Sequence, residues 1–244
     1  MHSNAYTIGF ALAVCVTCSV ILALTAGGLK PMIEKNERFD IHRNILKALE
    51  LYSADSGMSP DAVESLYDER IEGFVVAQSG TIVPGKTPAD IESDNGQSYL
   101  PVFARMDHGT VTGYCIPISG MGLWSTLYGY LALQADGETV MGITFYKHGE
   151  TPGLGGEIEA EWFTSNFVGK KIFDDEGNLT SITVAKGAIS KDVPPGKRIH
   201  MVDGISGATM TGNGINTFLK ADLEKYAPFL KAVRNGQSPI LQGA

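Results

Sequence analysis

Apolar and polar positions divide the chain into three stretches of different character. Thr7 to Leu29 reads TIGFALAVCVTCSVILALTAGGL, with no charged residue. At 1.5 Å per residue, roughly 23 positions make a helix of about 34 Å, which spans a hydrocarbon core of about 30 Å. A cleaved leader carries a shorter apolar stretch behind a basic start. Met1–Tyr6 has neither Lys nor Arg, so the pattern predicts an uncleaved membrane anchor. Next, Ile41, Ile45, Leu46 and Leu49 fall at helical spacing and predict a helix over Phe39–Tyr52. Ser59-Pro60-Asp61 reads as an N-cap followed by Pro at the first helical position, opening a second helix through Val63, Leu66 and Tyr67.

Beyond this the pattern changes to short apolar runs. Phe74–Gln78, Leu100–Met106, Val111–Ile118, Leu127–Leu133 and Thr139–Tyr146 read as strands, with Thr81–Ser98 a loop and Asp136-Gly137 a turn. A helix is predicted over Glu157–Val168, carrying Trp162, Phe163 and Phe167. Asp174–Asn178 is a turn into a strand at Leu179–Lys186, and a last helix starts at about Gly214. The expected organisation is α+β: a tail at 1–6, a transmembrane helix at 7–29, and one soluble domain at 30–244 with antiparallel strands and flanking helices.

Composition narrows the function classes. Lys+Arg 19 against Asp+Glu 27 gives a net charge of -8, which argues against nucleic acid as a partner because phosphate binding needs a basic face. A hydrophobic fraction of 43% excludes global disorder. Of three Cys, Cys15 and Cys18 lie in the apolar run, which leaves no disulfide framework or cysteine-rich zinc site. We read this pair as small packing residues. Lys30, Lys35, Arg38 and Arg43 follow the span, and by the positive-inside rule they argue for a cytoplasmic domain.

Three segments could carry chemistry. Asp203–Thr211 (DGISGATMT) is small and polar just before the last helix. Free N–H groups and the positive dipole end there suit an anion, while an ordinary loop ending in a Thr N-cap would look similar. It is not a Walker loop, since no G-K-[ST] follows. Lys147–Gly155 (KHGETPGLG) packs turn formers around Glu150 and Thr151. His148 has no second ligand at a metal-binding spacing and reads as a solvated loop residue. Pro117–Thr126 (PISGMGLWST) sets glycines around Trp124, as in a wall against a flat ring or in an ordinary core.

With R-N-I-L-K-A at Arg43–Ala48, these segments resemble the C-type subunit of the sodium-translocating NADH:quinone reductase over nearly the whole chain. The G-type subunit of the related Rnf complex shares E-T-P-G-L-G and S-G-A-T, while G-L-W-S at Gly122–Ser125 favours the quinone reductase. The resemblance implies one FMN, joined through its phosphate to Thr209, with Ser206, Gly207, Ala208 and Thr211 lining the site. It implies ring contacts from Trp124 and Leu154, a polar edge at Glu150 and Thr151, Ser125 among the cofactor-binding residues, and Lys186 near the phosphate. The link Ile189–Met201 is longer than the family's usual one. The implied function is electron relay through the covalent FMN, coupling NADH oxidation by quinone to sodium export. Implied partners are the other membrane and redox subunits and a flavin transferase, at a bacterial inner membrane with the domain periplasmic, opposite to the charge count. NADH itself is expected elsewhere in the complex, because no G-x-G-x-x-G follows a strand. Two other readings stay open: the Rnf-type flavoprotein, and an anchored binding module without cofactor.

Overall fold

The computed structural model describes residues 4–93 and 99–237, so part of the expected 81–98 loop and the first three residues of the expected tail lie outside the described residues. Helix α1 (Asn4–Ala48) contains the apolar run, and the chain divides after Ile41 into two units. Inside that run the hydroxyls of Thr17 and Thr25 donate to the carbonyls of Ala13 and Ile21, so neither is left without a partner in an apolar setting. Among the described residues this is the one helix long and apolar enough to cross a membrane. The helix expected at Phe39–Tyr52 is the continuation of α1. It stops at Ala48 because Glu50 adopts a left-handed φ of 56°.

The second unit begins at His42. Helix α2 (Pro60–Arg70) starts as expected, with the Ser59 hydroxyl accepting the Ala62 N–H at 3.3 Å. Strands β1 (Ile71–Val76), β2 (Leu100–Asp107), β3 (Thr110–Met121), β4 (Thr126–Gln134) and β5 (Val140–Lys147) form an antiparallel meander in chain order. The Asp136-Gly137 turn joins the last two: Asp136 Oδ1 accepts the Glu138 and Thr139 amides at 2.9 and 2.8 Å, and Gly137 takes φ 66°. Alternation along β3 sends Tyr114, Ile116 and Ile118 to one face and Gly113 and Cys115 to the other, with both faces buried. The Gly113 face meets Leu49 after α1. The Tyr114 face receives the last helix, α5 (Thr209–Arg234), whose Phe229 ring lies 5.4 Å from Tyr114 and 5.8 Å from Phe74, edge to face in both cases.

Three expectations are corrected between β5 and α5. The helix over Glu157–Val168 is instead a 3₁₀ turn at Gly155–Glu159, one turn of α3 (Glu161–Thr164) and a second 3₁₀ turn at Ser165–Phe167. Ile158, Phe163 and Phe167 are all fully buried. A spacing of five residues cannot keep the first two on one face of a continuous α-helix, so the chain breaks at Ala160, which is extended. The strand over Leu179–Lys186 shrinks to β6 (Thr183–Val184). Ser181 takes φ 64°, and its amide and that of Thr180 both donate to the Ile172 carbonyl, which ends regular pairing. Strand β6 pairs in parallel with β7 (Met201–Val202), and the link between them holds the short helix α4 (Pro195–Arg198).

The third correction is the start of α5, five residues before Gly214. Gly212, Asn213 and Gly214 have poor helix propensity. Packing overrides it, because a Cβ on Gly214 would fall on the Met121 carbonyl and lie 3.1 Å from the Gly122 Cα. The helix therefore runs against the end of β3 from its first turn.

Candidate functional site

Three elements converge where β3 ends, β5 ends and α5 begins. The end of β3 turns through Gly122–Ser125 into β4, closed by the Gly122 N–H donating to the Ser125 carbonyl at 2.8 Å. The segment after β5 turns at Thr151, whose carbonyl accepts the amides of Leu154 and Gly156 at 3.1 and 2.9 Å. Glycine is required at Gly155: a Cβ there would lie 2.6 Å from Thr211 Oγ1 and 2.8 Å from Glu150 Oε2.

Glu150 ties the three together. It is 5% exposed. Its Oε1 accepts the Trp124 and Ser125 amides at 2.9 and 3.4 Å, and its Oε2 accepts the Thr211 hydroxyl at 2.7 Å. Burial would raise this carboxyl, but the Thr211 hydroxyl and the amides of Trp124, Leu123 and Ser125 outweigh it and hold Glu150 below the usual carboxylate range. A return link runs from the Gly149 N–H to Ser125 Oγ at 2.5 Å. His148 is corrected: it is not a solvated loop residue. Its side chain is only 12% exposed, with Nε2 3.5 Å from Glu159 Oε2, and its Nδ1 accepts the Glu150 N–H at 3.3 Å.

The residues above this support are open to solvent. Trp124 is 68% exposed and Leu154 44%, and Ser206, Gly207, Thr209 and Thr151 are exposed as well. Ala208, 6% exposed, occupies the N-cap position of α5, so Thr209 is the first helical residue and not the cap. Its hydroxyl points to no protein partner among the described hydrogen bonds, and the first amides of the helix have no carbonyl to bond. Gly207 takes φ 76°, and a Cβ there would come within 2.8 Å of Leu154 Cδ2. Thr211 differs from the rest of its motif: it is 1% exposed and engaged by Glu150.

Lys186 is exposed two residues beyond β6, and two ties join its neighbours to α5 and to the segment that leads into it. Asn216 of α5 grips β6, accepting the Val184 N–H at 2.6 Å and donating to the Val184 carbonyl at 3.0 Å. The Gly204 N–H donates to the Gly187 carbonyl at 2.8 Å. The long Ile189–Met201 link loops out and returns without separating Lys186 from the segment leading to Thr209. Arg198 stitches that link internally through the Ser190 and Lys191 carbonyls at 3.0 and 3.1 Å.

Two residues that set this geometry escape the sequence reading. One is Asn216. The other is Asp222, 6% exposed, whose Oδ2 accepts the Ser119 N–H of β3 at 2.8 Å while its Oδ1 takes Lys225 Nζ at 2.7 Å. A signal exists for Asp222, since it falls within the apolar stripe Ile215, Phe218, Leu219, Leu223 and Tyr226.

The arrangement is a surface shelf. A cleft of about 520 Å³ lined by Arg43, Lys47, Tyr52, Tyr146 and Glu159 contains neither Trp124, Leu154 nor Thr209. The shelf suits a molecule with a flat ring and an anionic tail. Trp124 and Leu154 expose apolar surface of the kind a flat ring packs against, and the start of α5 presents amides and the Thr209 hydroxyl of the kind that hold a phosphate. FMN fits these groups, and the glycine at 207 leaves room for close backbone approach.

These features define a flavin-binding module: residues 122–224 match the FMN-binding domain family. That range begins at the Trp124 turn and ends within α5. The whole chain belongs to the NqrC family, the C-type subunit of the Na(+)-translocating NADH-quinone reductase. It is 37% identical to the family member from Pseudomonas aeruginosa over 97% of this chain and 98% of the relative. It is 36% identical to the one from Yersinia pestis over 91% and 90%. The fold matches the crystal structure of the family member from Parabacteroides distasonis with a TM-score of 0.69 and 33% identity, covering 83% of this chain and 96% of that one. NqrC of Shewanella oneidensis matches with a TM-score of 0.63 and 25% identity, over 85% and 97%.

Proposed function

We propose that this chain is the membrane-anchored, flavin-carrying subunit of a sodium-translocating NADH:quinone reductase, holding one FMN through a phosphoester to Thr209. The observation that carries the reading is the exposed Thr209 hydroxyl at the first turn of α5, on one shelf with exposed Trp124 and Leu154. When bound, FMN supplies reversible electron transfer to redox partners in the other subunits of the complex.

The chain's own residues bind and orient. Esterification at Thr209 turns a terminal phosphate of about -2 charge into a diester of about -1, leaving less charge for the α5 amides and Lys186 to neutralise. Trp124 and Leu154 cover the ring and remove apolar surface from water at about 25 cal/mol per Å². Thr151, exposed beside Leu154, offers its hydroxyl toward the polar edge. The 7–29 segment spans the inner membrane, the soluble domain lies on the periplasmic side, and a flavin transferase makes the phosphoester.

Chain produced together with a flavin transferase should stay yellow after denaturation and desalting. A colourless denatured chain, from cells whose transferase modifies a known substrate, would favour the cofactor-free binding module.

A further inference from the structure

Two exposed residues of the shelf lie on elements far apart in sequence: Trp124 on the β3–β4 turn and Thr209 on α5. A ring and a phosphate joined by a ribityl chain of limited reach need these two held within its span. The structure contains a link between them. Glu150 accepts backbone N–H groups of the Trp124 turn on one oxygen and the Thr211 hydroxyl of α5 on the other, at 2.9 and 2.7 Å. Gly122 and Gly155 enclose it: Cβ atoms there would stand 2.7 Å from Oε1 and 2.8 Å from Oε2. Glycine at both positions lets the carboxylate occupy the seam, and 5% exposure leaves little of it for a ligand.

We propose that Glu150 is a positioning residue: its carboxylate sets the separation between the ring-facing Trp124 turn and the Thr209 end of α5, rather than contacting the flavin edge. The proposal rests on the flavin reading for its consequence, but the link itself is a property of the chain alone.

The donors dictate which substitutions preserve the link. Trp124 and Ser125 present N–H groups that can only donate, so one side of residue 150 must be an oxygen. Thr211 presents a hydroxyl that donates or accepts. Glu150→Gln therefore keeps both contacts, with the amide oxygen toward Trp124 and the amide nitrogen donating to Thr211 Oγ1. Glu150→Asp is one methylene short and cannot hold both. Thr211→Val keeps the volume and breaks only the helix side, and Thr211→Ser restores it.

Hydrogen exchange on the full chain without flavin, in detergent, reads the Trp124 and Ser125 amides directly. FMN incorporation by the transferase is read in parallel as fluorescence at the gel band. Thr211→Val and Glu150→Asp should speed exchange of these amides about tenfold, the order expected when a hydrogen bond to a charged group is lost or loosened. Both should also lower incorporation. Thr211→Ser should behave as wild type, and Glu150→Gln, which keeps both bonds without the charge, should fall between wild type and Glu150→Asp. Wild-type exchange in Thr211→Val and Glu150→Asp, or Glu150→Gln exchanging as fast as Glu150→Asp, would overturn the proposal. A wild-type chain that takes up no FMN would instead refute the flavin reading and leave the exchange result standing.

Discussion

Gly155→Ala tests the site geometry through a single methyl group. A Cβ at 155 would lie 2.6 Å from Thr211 Oγ1, 2.8 Å from Glu150 Oε2 and 3.0 Å from Glu150 Cβ. Reaching an ordinary van der Waals distance from the hydroxyl requires about 0.8 Å of movement. That shift acts on a 2.7 Å hydrogen bond in a buried seam. Overpacking of this kind costs about 1–3 kcal/mol, offset by about 0.4–1 kcal/mol from the reduced freedom of the unfolded chain. The net is a loss of up to about 2.6 kcal/mol, or up to about 10 °C in Tm for a domain of this size. Gly156→Ala is the neighbouring control. Its Cβ would meet the Thr151 carbonyl at 3.2 Å and the His148 Cε1 at 3.6 Å, contacts that relax with small shifts. Thermal unfolding followed by circular dichroism should place Gly155→Ala clearly below Gly156→Ala, with flavin incorporation reduced only in the former. Equal Tm values and equal incorporation would refute the claim that the Glu150–Thr211 seam is closely packed and matters to the site.

Other expectations follow from the same contacts. Asp222→Ala removes the buried carboxylate that accepts the part-buried Ser119 N–H, and loss of a hydrogen bond to a charged group should cost about 1.5–3 kcal/mol in denaturant unfolding, whereas a loss below about 0.5 kcal/mol would mean that this tie does not register α5 on β3. Because the Glu150 carboxyl is lowered in the folded state, its contribution is full above the unfolded value near 4.3 and is lost as pH falls through the lowered one. The Tm difference between wild type and Glu150→Gln should therefore shift against wild type on acidification below about pH 4.3, and a difference constant over that range would contradict the assignment. Protease added to intact spheroplasts should digest the domain from His42 onward, and full protection until lysis would place it in the cytoplasm as the charge count argues.

Much of the framework is legible because it is written locally. Alternation in β3 and β4, the Ser59 cap and the Asp136-Gly137 turn each depend on a few neighbouring residues, and the structure places all of them as expected. The misread segments depend on distant ones. Local propensity delays α5 to Gly214, but the glycines there are the condition for laying the helix on Met121 and Gly122. The break at Ala160 follows from the need of Ile158 and Phe163 to reach the same core, which no local pattern encodes.

The site divides along the same line. Thr209, Trp124 and Leu154 are visible as motif residues and lie together on the exposed shelf. The parts that hold them in place were not visible. Glu150 looks in sequence like a polar contact for a ligand, and only the fold brings it between two elements whose donors use both of its oxygens. Asn216 clamps β6 and with it Lys186, a role that depends on a parallel strand pair too short to predict. Thr211 carries the same hydroxyl as Thr209 two residues away, yet it faces inward while Thr209 faces solvent.

Covalent FMN at Thr209 is read by intact-mass measurement of the full chain produced with a flavin transferase. Three forms are compared: wild type, Thr209→Ala and Ser206→Ala. Thr209 makes no side-chain cap at the first position of α5, so its replacement should leave folding within about 0.5 kcal/mol. Wild type and Ser206→Ala should each carry one FMN-sized addition that survives denaturation, and Thr209→Ala should fold but carry none. An addition that persists in Thr209→Ala, or that disappears in Ser206→Ala while Thr209 is intact, would rule out Thr209 as the attachment residue.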